Sequence, residues 1–168
     1  MINKVISHLK ALKHRMGRNG FIGKNSIVTK NVLFKTNVRI RNNSYICATS
    51  KAQLIIGENV FINNNVYICS HKKIVIGNDV IIGPNVCIVD HDHSINPVNR
   101  GINFTEDEIN IGNNVWIGAN VVVLKGCSVG ENSILAAGTI VTQNIPKNEI
   151  WAGNPAKFIK SIEVDNNE

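Results

Sequence analysis

From Ile22 onward, aliphatic residues return at every sixth position. The segments read IGKNSI, VTKNVL, FKTNVR and IRNNSY, then IGENVF, INNNVY, IGNDVI, IGPNVC and IVDHDH. After an interruption the frame resumes with IGNNVW, IGANVV, VLKGCS, VGENSI, LAAGTI and VTQNIP. Position one is aliphatic, position two is often Gly, and position five is mostly Val, Ser, Thr or Cys. Position four holds Asn25, Asn31, Asn37, Asn43, Asn59, Asn65, Asn85, Asn114, Asn120, Asn132 and Asn144, with Asp79, Gly126 and Gly138 in the same place. These residue types tolerate a left-handed backbone. Neither the alternation of a long strand nor helical spacing produces this pattern. It predicts short strands meeting at regular corners, with position one lining the interior of a stack in which each repeat is held by its neighbours.

The ends depart from the frame. Over residues 2–16, Ile2, Val5, Ile6, Leu9, Leu12 and Met16 share one helical face, with Lys4, Lys10, Lys13 and Arg15 elsewhere. This predicts a basic amphipathic helix within residues 1–20 that caps the open end of the stack. The alternative is a surface that visits anionic membrane. Residues 21–156 form the repeat body, and 157–168 a short helix or strand with an acidic tail.

The longest break in the frame inside the body follows IVDHDH. His71 and His91 stand at position four, as corner residues; histidine is among the types enriched at positive φ. His93 falls at position six, the outward side chain past the corner, where Phe61, Tyr67, Ile81 and Trp116 stand in other repeats. It is the last residue in frame before the unpatterned stretch 94–110, SINPVNRGINFTEDEIN, and the frame resumes at Ile111. Long unpatterned loops in a compact domain are often functional. A histidine at the root of one is suited to acid–base work. Asp92 falls at the inward position five, where a carboxylate is hard to bury without a partner; it marks a departure from the regular coil. Asp90 or Asp92 is placed to orient an imidazole.

Composition changes this picture little. Aromatics make up 5% of the 168 residues, so the interior must be built from aliphatic side chains. The first 57 residues carry 11 Lys or Arg and no Asp or Glu, against a net charge of +6 for the whole chain. The basic end is either a solvated surface or one that meets something anionic. No run of about 18 apolar residues reads as membrane-spanning, and the N-terminus lacks the features of a secretory signal. Cys47, Cys69, Cys87 and Cys127 show no zinc-ligand spacing and read as reduced thiols. The expected setting is the cytoplasm; contact at the inner face of the membrane through the basic end goes with the alternative to the capping role. No nucleic-acid partner and no bound metal are expected.

The repeat resembles the hexapeptide-repeat transferases over roughly residues 22–156. That resemblance implies an all-β fold, a left-handed parallel β-helix with triangular coils; physical preference for crossovers alone favours the right hand. The stretch HSINPVNR followed by IGNNVWIGANVVVLKGCSVGENSILAAGTIVTQNIPKNEIWAGNPAKFIK looks like the maltose and galactoside O-acetyltransferase branch. The match without gaps from Val86 to Arg100 places that branch's catalytic histidine on His93. By the same resemblance Asn63 lies at the acetyl-acceptor site, Trp116 beside the acyl-donor channel, and Ala119 where a backbone N–H faces the thioester carbonyl. Ala137 and Thr142 match positions along the pantetheine arm. Lys157 and Lys160 match basic residues near the nucleotide phosphates, where lysine keeps the charge but loses the arginine fork.

The resemblance further implies acetyl-CoA as donor, a homotrimer with shared sites, and an acceptor hydroxyl on a sugar or surface-glycan precursor. Asp92 and Arg100 join Asn63 as acceptor-side residues, Arg100 either holding the acceptor or bracing the loop. Amine transfer to an amino sugar, or transfer to serine, is the alternative within the same chemistry. A zinc hydratase of the carbonic-anhydrase type, with histidines meeting across a trimer, and a non-catalytic scaffold are more remote readings.

Overall fold

The computed structural model describes residues 16–17 and 19–163. Among them every regular element is a strand, and the chain winds as a parallel β-solenoid with three faces. The helix expected in residues 1–20 lies almost entirely outside the described residues. Met16, its last core-facing position, is fully buried.

The first face is 8-stranded and includes Ile81–Ile82 and Trp116–Ile117. The second is 6-stranded and includes Tyr67–Ser70, Cys87–Val89 and Val122–Val123. The third is 5-stranded and includes Lys73–Ile76 and Ile109–Ile111. Aliphatic residues at position one fall in line along each face. On the first face Ile40, Ile62, Ile82, Ile117 and Leu135 pair in succession and are fully buried. On the second, Ile46, Ile68, Ile88, Val123 and Val141 do the same. Position five is also inward: Val60, Val66, Val80, Val86, Val115 and Val121 complete the core. The buried hydroxyls at that position are satisfied, Ser44 donating to the Asn63 carbonyl (3.1 Å) and Ser133 to that of Pro146 (2.6 Å).

The corners behave as the frame predicts on two edges of the triangle. Asn37, Asn59, Asn65, Asp79, Asn85, Asn114, Asn120 and Asn132 all have φ between 55° and 61°. Their side chains form ladders along the stack, with Asn65 donating to Asn85 (3.2 Å) and Asn85 to Asn120 (3.1 Å). Replacing Asn85 by Ala is expected to cost about 1–2 kcal/mol, the penalty for a non-glycine residue held left-handed. Asn85→Gly keeps the backbone freedom and loses only the ladder. Denaturant titration of the pair should place the Gly variant above the Ala variant; the reverse order would remove the backbone explanation.

On the third edge Gly126 (φ 74°) obeys the frame and the other position-four residues do not. Asn31, Asn144, His71 and His91 occupy position four but are not left-handed, and all four lie at the corner between the second and third faces. For His71 and His91 the reason is coil length; Asn31 lies in a regular coil and Asn144 in a shorter one. Equivalent ladder residues are 18 apart in a regular coil, but 22, 20 and 35 apart in the coils that carry the extra residues. Those extra residues enter at this corner, so a sixfold frame carried through it loses register.

Through residues 153–156 the chain turns back. Strand Lys157–Ser161 pairs antiparallel with Glu149–Ala152 at the end of the first face. It thereby covers the last parallel edge of that face.

Candidate active site

The longest insertion is a hairpin, and it starts earlier than the frame suggests. Val89 is the last residue paired within the second face, opposite Cys69. His91, Asp92 and His93 already pair antiparallel with Glu106, Thr105 and Phe104. The coil resumes at Ile109, paired with Ile74, two residues before Ile111. His93 is therefore a hairpin residue and not an outward residue of the coil.

Asp90 anchors this exit. Its carboxylate is fully buried and accepts hydrogen bonds from the Ser70 hydroxyl (2.8 Å), the backbone N–H groups of His71 (2.7 Å) and Lys72 (2.9 Å), and His91 Nδ1 (3.2 Å). Burial pushes the Asp90 carboxyl up, but these bonds to the charged form outweigh it and hold the pKa below the ordinary value. Asp92 has the opposite environment. It is exposed, facing Lys125 Nζ at 3.5 Å, because alternation along the hairpin strand points it away from the side shared by His91 and His93. Asp90 thus orients His91. Among the described residues, no carboxylate holds His93.

His93 is held by a carbonyl instead: its Nδ1 lies 2.8 Å from the Arg100 carbonyl oxygen. A carbonyl only accepts, so Nδ1 carries the proton and Nε2 is left with its lone pair. Phe104 packs against the ring, with centroids 4.7 Å apart. The Arg100 guanidinium reaches back to the carbonyls of Ile95 (3.0 Å) and Ser94 (3.4 Å). In this geometry it braces the loop that supplies the acceptor to His93. Arg100→Ala is expected to lower turnover by about 10–100-fold through loss of positioning, with hydrogen exchange accelerated over 94–102. Unchanged exchange there would remove the brace.

The other expected site residues sit elsewhere. Trp116 is on the first face and half-exposed. Asn63, Ala119 and Ala137 are at the corner between the first and second faces. Thr142 is at the second–third corner, on the His93 side, and Lys157 and Lys160 lie exposed on the final strand. Asn63 Oδ1 is engaged by the N–H of Asn64 (2.8 Å).

The Ala119 corner has a physical peculiarity. In the earlier coils the position-three N–H is capped by an asparagine of the next coil: Lys24 by Asn42 (2.8 Å) and Asn42 by Asn64 (3.0 Å). Past Asn64 the same column reads Pro84, Ala119, Ala137, none with a capping side chain. The N–H groups of Ala119 and Ala137 have no protein partner among the described residues. They are donors available to a ligand.

Within one chain the His93 hairpin and the Ala119 corner stand on opposite edges of the second face. The outward column between them is apolar, running through Ile27, Tyr45, Tyr67, Cys87, Val122 and Ile140. Tyr45 and Tyr67 stack with ring centroids 5.4 Å apart. All four cysteines are free thiols. Cys47 and Cys69 are register partners; the hydrogen bond from Cys47 is the main cause that lowers the Cys69 pKa to about 6, and the same contact raises that of Cys47. The sequence frame left Asp90 as one of two carboxylates that could orient an imidazole, and it missed Phe104 and Cys69. Asp90 sits at a position usually polar and solvated, Phe104 lies in the unpatterned stretch, and cysteine spacing along the chain says nothing of neighbours across coils.

Residues 108–143 match the family model for the bacterial transferase hexapeptide, which spans six repeats. Over 108 residues the chain is 39% identical to the galactoside O-acetyltransferase of Escherichia coli K12, covering 64% of this chain and 53% of that one. The chain spans about half the length of the curated relatives it matches. Among solved structures, a maltose O-acetyltransferase from Clostridium difficile 630 superposes with a TM-score of 0.63 at 30% identity, over 92% of this chain and 75% of that one. A hexapeptide-repeat acetyltransferase from Vibrio cholerae, solved with acetyl-CoA, superposes with a TM-score of 0.64 at 27% identity, over 95% of this chain and 79% of that one.

Proposed function

The chain belongs to the hexapeptide-repeat acetyltransferases, and from that premise we propose that it moves the acetyl group of acetyl-CoA to a hydroxyl of a sugar or surface-glycan precursor. The observation that carries the reading is His93, whose Nδ1–H is committed to the Arg100 carbonyl and whose Nε2 is left as a base. Nε2 takes the proton from the acceptor hydroxyl as its oxygen attacks the thioester carbonyl. The uncapped N–H of Ala119 meets the negative charge that grows on the carbonyl oxygen. The tetrahedral adduct collapses with loss of the CoA thiolate, and no acyl-enzyme is needed because both substrates are held together.

His93 and Ala119 face one ligand only if two copies contribute, the hairpin of one against the Ala119 corner of another. The apolar column on the second face supports such packing, in a homotrimer of left-handed β-helices. Trp116, Ala137 and Thr142 flank the acyl arm, and Lys157 and Lys160 supply positive charge for the nucleotide phosphates. Asn63, Asp92 and Arg100 border the acceptor, with Arg100 acting through the loop. The protein works in the cytoplasm, its basic end at the inner face of the membrane. No helix among the described residues is long and apolar enough to cross a membrane.

The test is acetyl-CoA consumption followed by mass spectrometry over sugars, nucleotide sugars, amino sugars and serine. An ester on a sugar hydroxyl is the expected product. An amide product would move the reading to N-acetyl transfer, and absence of both transfer and acetyl-CoA binding would overturn it.

A further inference from the structure

At the root of the hairpin, behind His93, three ligand-type side chains converge. Cys69 Sγ, one ring nitrogen of His71 and one of His91 all lie within 4.8 Å of one another. Cys69 is buried, and the side chains of His71 and His91 are 18% and 15% exposed. We propose that Cys69, His71 and His91 form a binding site for a zinc-class divalent cation that clamps the hairpin to the preceding coil.

One thiolate and two imidazoles with a fourth position open to water is a donor set suited to a tetrahedral, borderline-soft ion. At metal–sulfur and metal–nitrogen distances of about 2.3 and 2.0 Å, tetrahedral ligand atoms stand about 3.3–3.6 Å apart. The cluster is within about 1.5 Å of that size before any ion draws it in. Each imidazole also has a carboxylate beside its Nδ1: Asp90 Oδ1 at 3.2 Å from His91, and Glu106 Oε1 at 3.7 Å from His71. A ring whose Nδ1–H points at a carboxylate keeps one tautomer and offers the other nitrogen as a more basic ligand. The carboxylates and the thiolate together favour a cation.

The rings now stack, with centroids 3.5 Å apart and planes 6° from parallel, and Phe104 stands edge-on to His71 at 4.8 Å. Lone pairs lying in parallel planes do not meet at one ion, so binding turns at least one ring out of the stack. That rearrangement is itself a signature. All three ligands come from one chain, unlike a hydratase site shared between copies. His91 is two residues before His93 on the same strand, so the ion positions the hairpin without touching the acceptor. This last consequence rests on the proposed role of His93; the binding site does not.

The experiment is titration of the purified full chain with Co²⁺ as a spectroscopic substitute for zinc, with no acetyl-CoA present. The expected result is one equivalent bound with a sulfur-to-cobalt charge-transfer band, and imidazole resonances of His71 and His91 shifted as the stack opens. Cys69→Ser should abolish the band, and His71→Gln should weaken binding by at least about 100-fold. His93→Ala should bind as the parent does. Circular dichroism confirms that the variants are folded. Absence of the band in the parent, or a band that survives in Cys69→Ser, would overturn the proposal.

Discussion

Replacing His93 by Ala is expected to lower the proposed acetyl transfer by about 10²–10⁴-fold, the usual share of a positioned general base, with the protein still folded. Both halves follow from where the residue sits. His93 is exposed on a hairpin outside the coil, its ring bonded to the Arg100 carbonyl and in contact with Phe104. Truncation there opens no cavity in the aliphatic core, so thermal unfolding should move little. The Nε2 lone pair, by contrast, has no substitute: Asp92 points away to Lys125, and Asp90 is buried against Ser70, His71, Lys72 and His91. Binding of acetyl-CoA should be retained, because the donor contacts proposed for Trp116 on the first face and for the uncapped N–H groups at the first–second corner do not use the His93 side chain. The measurement is kcat with a saturating acceptor, beside the acetyl-CoA dissociation constant. A folded variant that keeps its turnover would remove His93 from the mechanism.

The second large effect is on stability. Asp90→Ala is expected to cost about 3–5 kcal/mol, because it strips the acceptor from a buried hydroxyl, two backbone N–H groups and an imidazole in one step. The individual penalties do not add in full, since water can enter the space. Asp90→Asn keeps one acceptor oxygen and should lose about half as much. The pH dependence has a definite sign. The folded pKa of Asp90 lies below its unfolded value, so its stabilisation is present above the unfolded carboxylate pKa of about 3.9 and is lost as pH falls through the folded pKa. Denaturation series at neutral and acidic pH should show the parent losing stability on acidification, and Asp90→Asn losing less. A neutral-pH difference below about 1 kcal/mol for Asp90→Ala would mean that the carboxylate does not anchor the hairpin.

Much of this molecule was legible along the chain because the deciding interactions are short-range and periodic. An aliphatic residue six places on from another meets the same interior, as Ile76, Ile82 and Ile88 do. An asparagine at position four takes the corner because its own backbone preference allows it, as at Asn85 and Asn120. The unpatterned stretch marked the hairpin, and His93 stands on its first strand. The failures share one place and one cause. His71 and His91 look like corner residues in the sixfold frame, yet they stack on each other. Asp92 looks inward in that frame, yet it is in solvent beside Lys125.

The sequence by itself determined the strands, the interior column and two of the three corners, since each depends on residues a few positions apart. Only the tertiary structure decided what meets across coils: Asp90 under the hairpin, Cys69 beside two histidines, and the Ala119 N–H left without a cap. Those meetings depend on coil length. At the second–third corner the coils differ in length, so sequence separation no longer fixes which side chains lie one above another.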